Sequence, residues 1–305
     1  MGKIFPSTSF SSLSQVFCLN ILVIGPAKTG TTIISKTIHD AVPGAEFHME
    51  PKGIDVFLKD SSEDGSRHVV KIIYEHWSKK PYSLKAVIHN ELPLVFERLV
   101  AIVRDPRDEW ISRMMYFAYD WAIRMSRQEK LEVSKLEQWV RFIGEVEHNP
   151  QNHSFLSMLD TLNRIFGSKL QVRGRRIDSY WAFCHNLPTH AHVLRYEDFV
   201  SGRMERLEQF LGLVLTVPAS LGNLDRTMRS ASFNNWKEIF KQEDIELFRQ
   251  QCGDLMEARG YTDWELAPAA RLDTTSYSGY LKRVLAAYLP AENVENPVPP
   301  ARSVE

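Results

Sequence analysis

Residues 16–40 read VFCLNILVIGPAKTGTTIISKTIHD. A short apolar run, 16–24, ends at Gly25. Such a run, closed by a glycine turn, predicts a buried strand of a parallel sheet. The turn GPAKTGTT runs from Gly25 to Thr32 and is followed by a helical segment. Glycines let backbone amides approach an anion, and a helix opening behind them aims its N-terminus at the charge. Strand, glycine turn and helix form the first half of a βαβ unit.

Further short apolar runs predict strands at 69–73, 84–88, 99–103 and 192–195. Apolar residues at helical spacing predict helices over 108–124, 129–146, 153–166, 203–212 and 243–258. Strands alternating with helices specify an α/β fold, a three-layer αβα sandwich around a central, mainly parallel sheet. One domain is expected over residues 1–266. Residues 267–276 read as a linker, 280–289 as a short amphipathic helix, and the Pro-rich 291–305 as a disordered tail to which the sequence assigns no role.

The 305 residues are 44% hydrophobic and 25% charged, with a formal net charge of −1. That balance gives no general attraction to nucleic acid or an anionic membrane, so any anion site must be local. Cys18, Cys184 and Cys252 are far apart and read as reduced thiols, not as a disulfide framework. With no long apolar stretch, a cytoplasmic protein without a transmembrane segment is expected. His153, His185, His190 and His192 show no metal-ligand spacing, and RGRR at 173–176 reads as a solvated loop.

The glycine turn begins like a Walker A loop, with Gly25 and Gly30 at its spacing, but Thr31 stands where that motif needs lysine. The lysine comes earlier, at Lys28. Three more stretches carry chemistry. AIVRDPRDEWIS (101–112) ends a strand in Arg104 and places Ser112 eight residues later. LRYEDF (194–199) puts Tyr196 after a strand. RSASFNNWKEIF (229–240) puts Arg229 seven residues before Trp236. Arginine offers a phosphate a planar fork, and a hydroxyl early in a helix adds a donor.

Taken in this order, the stretches resemble the sulfotransferases that use 3′-phosphoadenosine 5′-phosphosulfate (PAPS). That family carries PKSGTT, R-(D/N)-P-(R/K)-D, Y-E-D-(L/F/M) and R-K-G-x-x-G-D-W-K-x-x-F. The resemblance spans roughly 16–262 and implies a P-loop NTPase-like fold. It implies that Lys28, Thr29, Gly30, Thr31 and Thr32 hold the 5′-phosphate end. Arg104, Ser112, Arg229 and Ser230 would take the 3′-phosphate, with Tyr196 near the adenine. Ile33 stands where many members have an adenine-stacking Trp, leaving Phe233 as a candidate. Ser230, Ala231 and Asn234-Asn235 depart from the family's Lys, Gly and Gly-Asp.

The resemblance further implies in-line transfer of a sulfuryl group to a hydroxyl or amine, with release of 3′,5′-ADP and no metal. Lys28 would neutralise the leaving oxygen. Two residues are candidates for the base: His89, predicted to end the 84–88 strand in VIHNELP, and Glu50 in FHMEP. RMMYFAYDWAIRM (113–125) reads as core packing or as a wall of the acceptor pocket. A small-molecule, lipid-linked or carbohydrate acceptor fits. Two other readings stay open: a Mg²⁺-dependent kinase-like enzyme with Asp105 on the metal, and a catalytically inactive nucleotide-binding relative.

Overall fold

A computed structural model describes residues 19–290 except 60–64, 223–224, 226–228 and 231. Residues 16–18 of the first run, Cys18 and the tail 291–305 lie outside the described residues. The strands are β1 (Ile21–Gly25), β2 (Glu46–Met49), β3 (His68–Ile73), β4 (Arg98–Val103) and β5 (Ala191–Arg195). The helices of the first half are α1 (Thr31–Asp40), α2 (Tyr74–Trp77), α3 (Pro81–Ile88), α4 (Pro106–Ser126) and α5 (Val133–His148). Then follow α6 (Phe155–Phe166), α7 (Gly174–His185), α8 (Tyr196–Val200), α9 (Glu205–Leu211), α10 (Trp236–Ile239), α11 (Gln242–Glu257) and α12 (Ser278–Leu285).

The strands form one parallel sheet in the order β2-β3-β1-β4-β5. β1 and β3 are buried at every residue, which is why their sequences are mostly apolar rather than alternating, with His68 and Lys71 the buried polar exceptions of β3. Side chains still sort by face. Leu22, Ile24, Val70, Ile72, Leu99 and Ala101 join a large core with residues of α4, α5, α6, α7, α11 and α12. Ile21, Val23, Val69, Val100 and Ile102 join a smaller core with α1, α8 and α9. The fold is thus the expected three-layer α/β sandwich. The chain steps to opposite sides of β1 after it, so a crevice opens at the carboxyl ends of β1 and β4.

Two local expectations are corrected, and one further strand appears. Residues 84–88 are the end of helix α3, not a strand. Pro81 opens that helix, and Leu84, Val87 and Ile88 bury one face at helical spacing. The edge strand β2 went unrecognised because its four residues are only partly buried. RGRR is not a free loop, since Gly174 begins α7. A Cβ there would sit 1.8 Å from the Gln251 carbonyl of α11, so glycine permits the close approach. Beyond residue 266, α12 buries Tyr280, Leu281, Val284 and Leu285 in the large core.

Candidate functional site

The turn after β1 is strained by design. Lys28 has φ of 76°, a left-handed conformation uncommon outside glycine. Gly30 has φ of 83°, and a Cβ on it would lie 2.4 Å from the Tyr196 ring. The Thr29 hydroxyl turns inward and donates to the Pro26 carbonyl at 2.8 Å, tightening the turn. The loop is braced from behind. The Ala27 amide donates to Glu75 Oε2 at 3.0 Å, and its carbonyl accepts from Arg113 Nη2 at 3.1 Å. Arg113 and Arg176 both reach Glu75 and Glu109. Burial opposes ionisation of Glu75, but Arg176 and Arg113 outweigh it and hold its carboxyl below the usual range. Arg176 of RGRR therefore belongs to the scaffold of the loop.

A cleft of about 390 Å³ opens at the loop, within the roughly 300–1,000 Å³ of small-molecule sites. Lys28, Gly30, Thr31 and Thr32 line it from the turn, Arg104 and Ser112 from the end of β4 and from α4. Tyr196 enters from the end of β5, and Arg229 and Ser230 close the far side. Nine of the ten cofactor residues expected from the sequence thus meet; Thr29 does not line the cleft. Ile33, Phe199, Val200, Val217, Pro218 and Leu221 make its apolar wall. Phe233, the candidate adenine partner, is not among the lining residues.

The guanidinium groups are poised for an anion. Arg104 Nη1 donates to the Lys28 carbonyl at 2.9 Å, its plane lies 4.3 Å over the Tyr196 ring, and its Nε is buried without a partner. Arg229 lies 5.2 Å from the Tyr277 ring, beside the Tyr277 hydroxyl, and its buried terminal nitrogens have no well-aligned hydrogen-bond acceptor among the described residues. Asp108 offsets part of their charge, and a bound oxyanion would accept from the donors that both arginines keep spare among the described residues.

Burial pulls the Lys28 ammonium down to about 7. Asp120 resists that shift, while Arg104, Arg113 and Lys71 add to it. The ammonium sits 3.4 Å over the Tyr116 ring. Burial pushes the Asp120 carboxyl up, and Lys28 draws it partly back. Ser112, Tyr116 and Asp120 stand four residues apart on α4 and so share one face. Met114, Met115 and Ala118 take the core face instead. Tyr116 and Asp120 were missed as site residues, although that spacing was visible in the sequence.

Glu50 and His89 fare differently. Glu50 follows β2 at the carboxyl edge of the sheet, with φ of 55°. It pairs with Lys71, whose ammonium also donates to the Thr32 hydroxyl at 3.1 Å. Glu50 is therefore one lysine away from the loop. His89 caps the end of α3 and is exposed. Its charge acts on His190, whose carbonyl accepts from Leu99 at the start of β4. That is the amino edge of the sheet, roughly 16 Å of strand from Arg104. The expectation that His89 joins Lys28 is corrected: it rested on a strand that is a helix.

Two buried ion networks bring the distant 229–240 segment in. Asp108 accepts from the Asn234 amide at 2.6 Å and the Trp236 amide at 3.1 Å. Arg107 pairs with Asp105 at 2.7 Å and lies between Trp236 and Trp264, 3.7 and 4.5 Å from their rings. The first and last arginine motifs thus fold as one unit, with Glu197 of YEDF accepting the Asp105 amide at 2.8 Å.

No curated protein matches the sequence. Among solved structures, the chain is similar to a mouse sulfotransferase, SULT7A1, complexed with PAP. The two are 14% identical over 80% of this chain and 89% of that one, with a TM-score of 0.44, too low to carry an argument. Among the described residues no helix is long and apolar enough to cross a membrane. The sulfotransferase domain model matches residues 19–265, most of the chain, and the protein therefore belongs to the sulfotransferase domain family.

Proposed function

We propose that this protein transfers the sulfuryl group of PAPS to an acceptor hydroxyl or amine and releases 3′,5′-ADP. The observation that carries the reading is the convergence of Lys28, Arg104 and Arg229 on one cleft. Those three cations fit the two phosphate ends of a single adenosine nucleotide. Thr31, Thr32 and the amides at the start of α1 suit the 5′ end. Arg104, Arg229, Ser112 and Ser230 suit the 3′-phosphate. Ile33 and Leu221 offer the adenine an apolar wall, with Tyr196 beside it.

In the reaction, the acceptor oxygen bonds to sulfur as the bond from sulfur to the 5′-phosphate oxygen breaks. Lys28 meets the charge that grows on that oxygen. The acceptor proton goes to a carboxylate. Glu50, linked through Lys71 to the loop, and Asp120, whose charge acts on Lys28, are the two candidate acids. His89 lies at the opposite, amino edge of the sheet and takes no part. Acceptor positioning and cationic charge supply the catalysis.

The test is incubation of the protein with PAPS and an acceptor library, with products read by mass spectrometry. Sulfated product that disappears in Lys28→Ala supports the reading. Tight binding of 3′,5′-ADP without product from any acceptor would instead favour a nucleotide-binding relative without activity. Binding of ATP only with Mg²⁺ would favour the kinase-like reading.

A further inference from the structure

The β2–β3 edge of the sheet carries three side chains that the proposed reaction leaves unused. Glu46 and His48 are two residues apart on β2 and so point to the same face. His68 is the register partner of Glu46 on β3. His48 and His68 are 20 residues apart in sequence, so no short ligand motif announces them.

Their ligand-type atoms close a triangle. His48 Nε2 lies 3.0 Å from His68 Nδ1, and Glu46 Oε2 lies 3.5 Å from each of them. Nitrogen and oxygen ligands at ~2.0–2.2 Å from a tetrahedral zinc ion stand about 3.3 Å apart. The three atoms therefore match one face of such a tetrahedron. A hydrogen bond between the two imidazoles forms one edge of the triangle, and contacts of Glu46 with each ring form the other two, so a bound cation would take the place of the protons shared among them.

The surroundings support ligation. His68 is almost fully buried, and its Nε2 is 2.8 Å from the Ser66 hydroxyl. Metal-bound histidines use their second ring nitrogen in this way, which fixes the ring and leaves the first nitrogen for the metal. Glu46 is exposed, so the fourth corner faces solvent. Lys59 Nζ lies 2.9 and 3.2 Å from the Glu46 carboxylate oxygens and competes with a cation for that group.

We propose that Glu46, His48 and His68 form a divalent transition-metal site, suited to Zn²⁺ with water in the fourth position. The ion ties the edge strand β2 to β3 just upstream of Glu50. The site is independent of the sulfuryl-transfer reading, because none of its ligands lines the cleft.

The full-length protein, stripped with a chelator, is titrated with Co²⁺ and then Zn²⁺. One equivalent of Co²⁺ should give the intense visible absorption of a tetrahedral centre, and Zn²⁺ should bleach it. His48→Ala and Glu46→Gln should each weaken Zn²⁺ binding at least about tenfold. Lys59→Met should tighten it several-fold by freeing Glu46. His68 is left intact because its burial makes a substitution hard to read. Near-ultraviolet circular dichroism of each variant reports whether the fold is kept. Absence of saturable binding up to about 1 mM metal overturns the proposal. So does binding that a folded His48→Ala variant leaves unchanged.

Discussion

Arg104 Nη1 donates a 2.9 Å hydrogen bond to the carbonyl of Lys28. The end of β4 therefore holds the peptide of a residue whose backbone is strained, and the same guanidinium faces the cleft. Arg104→Ala removes both a loop tether and an anion contact. A charge-assisted hydrogen bond contributes about 1.5–3 kcal/mol, so 3′,5′-ADP should bind roughly 10–150-fold more weakly. Calorimetric titration checks this, and an unchanged affinity would remove Arg104 from the site.

Lys28 gives the cleft a pH dependence. Its ammonium titrates at about 7 in the free protein, and a bound oxyanion must raise that value. Protons are taken up on binding, and affinity for 3′,5′-ADP should fall as pH rises above 7. Lys28→Met should flatten that slope. Stability has the matching sign. The folded value lies below the ordinary lysine value of 10.5, so the unfolded chain holds more protons between about 7 and 10.5. The lysine's destabilising effect is complete below pH 7 and fades as pH rises through that window. Lys28→Met should therefore raise Tm more at pH 6 than at pH 9, as thermal melts at the two values would show.

The proton acceptor is decided by three variants measured together with PAPS and a working acceptor. Loss of a general base costs about 10²–10⁴-fold in kcat. Either Glu50→Gln or Asp120→Asn should show a loss of that size, and His89→Ala should leave kcat within about twofold of the parent. A large loss in His89→Ala would contradict its position at the far edge of the sheet.

Arg107→Met tests the buried pair that gathers the arginine motifs. Asp105 and Arg107 are 5% and 2% exposed in their side chains. Removing the arginine strands a buried carboxylate, which costs about 3–5 kcal/mol. Urea unfolding should show that loss. Because Arg107 also stacks on Trp236, 3′,5′-ADP affinity should fall as the 229–240 segment loosens.

Gly30→Ala should abolish 3′,5′-ADP binding while leaving a folded protein. The added methyl group meets the Tyr196 ring at 2.4 Å in a left-handed backbone. Adding Tyr196→Ala should relieve the clash and restore part of the affinity. If the double variant binds no better than Gly30→Ala, backbone strain rather than the ring is the obstacle.

Much of this was legible because it is local. The strand within the apolar run 16–24, the glycine turn after it and the helix behind it are fixed by neighbours in sequence, and the described part of that run is β1. The spacing of Arg104 to Ser112 held because both lie on one strand-to-helix turn. The errors arose where a short apolar run is ambiguous. LKAVI packs as the last turns of a helix because Pro81 starts one. His89 was misplaced with it.

The sequence by itself determined the α/β class, the strand, turn and helix that open the sheet, the anion-binding turn and the arginines that could serve it. Backbone conformation and hydrophobic period are properties of neighbouring residues. Only the tertiary structure decided which of these groups share a cleft. It set Asp120 beside Lys28, linked Glu50 to Thr32 through Lys71, and left His89 at the opposite edge. Those relations depend on parallel pairing and on burial, which act between residues far apart in the chain. No reading of one segment at a time contains them.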